Sequence, residues 1–116
     1  MKRFLAVYTG APAAISQWNE LPEQERQSRQ AAGVIAWKRW AEENKSSILE
    51  MGGPLGRTKR IAQVGIGDVR NNMTAFTIVA AESHEAAARL FVNHPHFTIF
   101  PGDGVEVMEC LPIPEM

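Results

Sequence analysis

The sequence predicts a single α+β domain: a four-stranded, mainly antiparallel sheet with two helices on one face. Two observations carry this. Short apolar runs with the two-residue repeat of strands alternate with stretches at helical spacing, in the order strand, helix, strand, strand, helix, strand. The first, third and last of these strands also hold apolar residues on both faces, so helices on one side leave the other side uncovered. The 116 residues suit one domain spanning 1–116, with no internal repeat or linker.

The elements follow in order. Residues 3–8 place Phe4, Ala6 and Tyr8 on one face and Leu5 and Val7 on the other, a strand that Thr9-Gly10-Ala11-Pro12 ends. A helical region follows, with an interruption expected at Leu21-Pro22, where Glu23 and Glu25 suit the positive end of the helix dipole. It runs to about Asn44, with Gly33, Val34, Trp37, Trp40 and Ala41 on one face and Lys38, Arg39, Glu42 and Glu43 on the other. Ile35 falls on the polar side. From Ile48 the chain reads as an irregular second strand, whose Gly52-Gly53-Pro54-Leu55-Gly56 permits a bulge. A short extended piece, Ala62 to Ile66, then precedes a turn by composition over residues 67–72.

Thr74 to Ala80 is the third strand. Ser83 suits the N-cap of the second helix, whose apolar face is Ala87, Leu90 and Phe91, and Pro95 stops it at His94. Val105 to Leu111 is the last strand, ended by Pro112-Ile113-Pro114. This order is the ferredoxin-like split βαβ arrangement. A second copy of the chain is the economical cover for the bare sheet face, which predicts a homodimer.

Composition excludes several classes. Hydrophobic residues at 45% and charged residues at 22% describe a globular chain, and a net charge of −1 removes the simplest case for nucleic acid or an anionic membrane as partner. Cys110 is the only cysteine and the apolar start is too short for a signal peptide, so a reducing, cytoplasmic setting is expected. No cofactor motif is present: the glycines around residues 52–56 and 65–67 match neither the P-loop nor the dinucleotide fingerprint.

Four stretches carry a family resemblance: Lys2–Tyr8; Ala36-Trp37-Lys38-Arg39-Trp40 before Gly53-Pro54-Leu55-Gly56; Phe76–Ala80 followed by Glu82–Leu90; and His94-Pro95-His96 before Val105–Pro114. In this the chain resembles the YCII-related family over nearly its whole length, as a branch without the Asp-Gly-Pro-Phe signature. The resemblance implies a ferredoxin-like, dimeric α/β-barrel fold. It also implies a histidine in a pocket between helices and sheet, sometimes with an acidic partner, and His94 is the position that corresponds.

The residues themselves offer several chemistries. His94 follows the core-facing stripe of the second helix and is expected at that helix's C-terminus, where the dipole would raise its pKa. It then serves either as a general acid/base or as a cap on the last carbonyls. His96, two residues on, is the second catalytic candidate; the pair would hold a metal only with a third ligand such as Asp103 or Glu106, which no motif fixes. Tyr8, Trp37, Trp40 and Phe91 line an apolar ligand pocket or pack the core, and Arg57 beside the glycines binds an anion or lies in a solvated loop. Cys110 reads as a small buried hydrophobe. Three functions follow: a small-molecule enzyme, cofactor-free or metal-assisted, using a histidine; a non-catalytic small-ligand-binding or accessory dimer; or a purely structural dimer that presents a surface to another protein.

Overall fold

The computed structural model describes residues 1–114. Its centre is a four-stranded antiparallel sheet in the order β2-β5-β1-β6, built from β1 (Lys2–Thr9), β2 (Ile48–Pro54), β5 (Met73–Ala81) and β6 (Gly104–Glu109). The period of two sorts the side chains by face. Phe4, Ala6 and Tyr8 of β1, each 0% exposed, lie in register with Val79, Thr77 and Ala75 of β5 and with Glu109, Val107 and Val105 of β6. This face meets the helices through Trp40, Ala87 and Phe91. On the opposite face Leu5 and Val7 align with Ile78 and Phe76 on one side and with Met108 and Glu106 on the other.

The first helical region divides where expected. Leu21, which precedes proline, is extended (φ −63°, ψ 147°), separating α1 (Pro12–Glu20) from α2 (Glu23–Glu43). The covered stripe of α2 is narrower than its periodicity suggests: Gly33 and Trp40 are buried, while Val34 is 41% and Ile35 61% exposed. Gly33 marks the close approach, because a Cβ there would lie 2.5 Å from the Phe100 ring.

β2 is bulged, its register with β5 shifting on both sides of Glu50. Gly52 has φ +67°, and a Cβ would run into the backbone carbonyl of Phe76. The next segment departs from expectation. Residues 58–69 form a separate hairpin, β3 (Thr58–Ala62) with β4 (Gly65–Val69), turning at Gln63-Val64 rather than over 67–72. Composition misled because Gly67 and Asp68, turn residues by type, here pair with Arg60 and Lys59, and Gly65 takes the positive φ (+128°) beside the turn.

α3 (His84–Arg89) starts on Ser83, whose Oγ accepts from the Ala86 N–H at 3.1 Å, as its sequence predicts. It stops short of His94, and after a left-handed Asn93 (φ 58°) the chain begins a new turn, α4 (Pro95–Thr98). Cys110 lies just past β6 and is exposed, correcting its reading as a buried residue. No described helix is long and apolar enough to cross a membrane.

Candidate functional site

Tyr8 at the end of β1, Trp37 and Trp40 one turn apart on α2, and Phe91 after α3 converge on His94. The imidazole is 0% exposed. Its ring centre lies 4.5 Å from each indole, at interplanar angles of 90° to Trp37 and 71° to Trp40. The walls are held in place. Trp40 Nε1–H donates to the Leu90 carbonyl at 2.7 Å, anchoring α2 to α3. Thr77 donates to the Met51 carbonyl at 2.9 Å, which leaves its oxygen to accept from the Tyr8 hydroxyl, also at 2.9 Å. Burial pushes the Tyr8 pKa up to about 12, so the phenol stays a neutral donor.

His94 is the N-cap of α4, not the C-terminus of the preceding helix. Its Nδ1 accepts from the His96 backbone N–H at 3.0 Å. A neutral imidazole with an accepting Nδ1 carries its hydrogen on Nε2, and this atom is buried with no hydrogen-bond partner. Burial, then the charge of nearby His96, pull the His94 pKa down to about 4, opposite to the rise expected from a helix C-terminus. At neutral pH His94 is thus an uncharged donor aimed among aromatic rings. A general-base role would need a free lone pair, which this tautomer does not offer.

His96 is spent differently. Its Nε2–H donates to the Thr9 carbonyl at 2.7 Å, and Gly102 leaves the space its ring fills, since a Cβ there would collide with it. Burial lowers its pKa, opposed by that carbonyl and by Asp103, which accepts from Thr9 Oγ1 at 2.5 Å. The two imidazoles therefore do not converge on a shared ligand, and among the described residues no group of three metal-ligating side chains forms.

The structure thus brings together Tyr8, Trp37, Trp40, Phe91 and His94, with His96 touching Tyr8 and Trp37. Arg57 stands apart, at the root of the β3–β4 hairpin. Sequence reasoning passed over Thr77, signalled only by a hydroxyl in an otherwise apolar strand, and His84, whose Nε2–H donates to the Val107 carbonyl at 2.7 Å. His84, Phe91, Phe97, Asp103 and Val107 line a cleft of about 380 Å³ that shares only Phe91 with the buried box. Trp37 is the half-buried wall of the box, packed outward on Phe100 at 6.0 Å between ring centres.

Fold and site define the class: a ferredoxin-like α+β protein with an aromatic box between helices and sheet. Among solved structures it is similar to 5-chloro-2-hydroxyhydroquinone dehydrochlorinase from Burkholderia phenoliruptrix, a structure in complex with 2,5-dihydroxybenzoquinone. The likeness has a TM-score of 0.51 at 21% identity and covers 91% of this chain and 90% of that one, which establishes the fold. No family model matches the chain, and no curated protein sequence matches it.

Proposed function

We propose that this protein is a small-molecule enzyme of the YCII-related kind, a homodimer joined through the bare sheet face, acting on a planar ring that bears oxygen. One observation carries the reading: the Nε2–H of His94 is a buried donor without a partner, enclosed by aromatic rings. Leaving such a donor unmade costs about 1–3 kcal/mol, and the edge-on indoles return only part of that. A ligand oxygen brought to Nε2 would complete the bond. A neutral imidazole in such a place stabilises negative charge developing on oxygen rather than abstracting a proton. The dehydrochlorinase of similar fold acts on a hydroxylated ring and was captured with a quinone, which supports that ligand class.

The second reading, binding without turnover, is favoured by the absence of any carboxylate hydrogen-bonded to His94 among the described residues. Two substitutions separate the imidazole nitrogens. His94→Asn keeps an acceptor where Nδ1 caps α4 and deletes the Nε2 donor; His94→Gln restores an N–H near Nε2 and loses the cap. With 2,5-dihydroxybenzoquinone as calorimetric probe, Asn is expected to weaken binding about tenfold or more, and Gln to retain most of it. Equal affinity in wild type and His94→Asn contradicts the site. Binding that follows this pattern with no conversion of hydroxylated rings by the wild type assigns the protein to the second reading.

A further inference from the structure

A second concavity, of about 860 Å³, lies between the start of α1 and the root of the β3–β4 hairpin. Arg57 and Arg70 both line it, with Thr58, Asn71, Asn72 and Ser16. The outermost hairpin pair is Thr58 with Val69, so Arg57 and Arg70 are the next residues outward on each strand, and both line the concavity. Like charges gathered in one concavity repel, and a fold gains nothing from holding them so. Neither arginine makes an ion pair among the described residues, whereas the neighbouring cation Lys59 is satisfied by cross-strand Asp68 at 2.8 Å. Asp68, the acidic side chain in the lining, is therefore already engaged. The facing wall adds no competing anion, because the first turn of α1 contains no acidic residue.

We infer that this concavity is a site for a small anion carrying two oxyanionic groups, a diphosphate or a dicarboxylate, bridged by Arg57 and Arg70. Each guanidinium presents a planar fork that matches a carboxylate or phosphate edge, and a shared anion converts their repulsion into two charge-assisted contacts. Thr58, Ser16 and the two asparagine amides supply neutral partners around the rim. A net charge of −1 speaks for a small ligand rather than a polyanion. None of the aromatic-box residues lines this concavity, so the inference stands or falls independently of the function proposed above.

The test titrates inorganic pyrophosphate, and separately succinate, into the full chain by calorimetry at low ionic strength. Arg57→Gln and Arg70→Gln are each expected to weaken binding about tenfold and the double variant to abolish it. Arg60→Gln removes the same charge from the same hairpin but outside the lining, and is expected to leave binding within about twofold, since a lone exposed charge acts weakly through solvent. All these positions are exposed, and an unchanged melting temperature checks that the variants fold. Tighter binding of pyrophosphate assigns the site to phosphoryl groups, and tighter binding of succinate to carboxylates; both sustain it. Failure of both anions to bind, or wild-type affinity in the double variant, overturns it.

Discussion

At the scale of single residues, the main consequence of the buried box is a pH dependence. An unfolded histidine takes its proton near pH 6.5, whereas folded His94 holds out to about 4. Between those values the unfolded chain binds more protons than the native one, so stability falls as pH drops through that window and is fully present above it. For His94 the loss amounts to about 3 kcal/mol by pH 4, with His96 adding in the same direction. Urea denaturation from pH 7 to pH 4 should show this slope, and His94→Asn should flatten much of it; equal slopes in the two proteins would contradict the burial argument. The identities of the box residues were legible in the sequence because Trp37, Trp40, Phe91 and His94 all fall on apolar helical stripes. The protonation state was not legible. It depends on α3 ending early and on a backbone N–H two residues away capturing Nδ1, neither of which leaves a mark in spacing.

At the scale of elements, glycine decides how β2 joins the sheet. Gly52 combines a left-handed backbone with a carbonyl where its Cβ would be. Gly52→Ala is therefore expected to cost about 2–4 kcal/mol by chemical denaturation. Gly53, with open space at its Cβ position, should accept alanine with a change below about 1 kcal/mol. Similar values for the two would mean that the bulge is not what Gly52 supplies. The bulge was readable from the glycine cluster, as were the break at Leu21-Pro22 and the Ser83 cap, since each depends on backbone chemistry local to a few residues. The β3–β4 hairpin was not readable as such. Its exposed strands have no buried face to impose a clean alternation, and Gly67 and Asp68 are turn residues by composition.

At the scale of the whole molecule, the sheet divides two tasks. One face lies under the helices and carries the aromatic box; on the other, Val7 is buried, Leu5, Phe76 and Ile78 are half-buried, and Met108 is 44% exposed. This imbalance is legible in the residue pattern itself, in strands apolar on both sides and too little helix to clothe them. The order of strands followed too, because removing the β3–β4 hairpin leaves the expected split βαβ path. A second copy covering the bare face is the central claim about the assembly, and Ile78→Lys places a charge at its middle without touching the box. Light scattering at micromolar concentration measures it directly: the wild type is expected at twice the chain mass and Ile78→Lys at one chain mass, still folded. A wild type that stays a single chain at those concentrations would contradict the account.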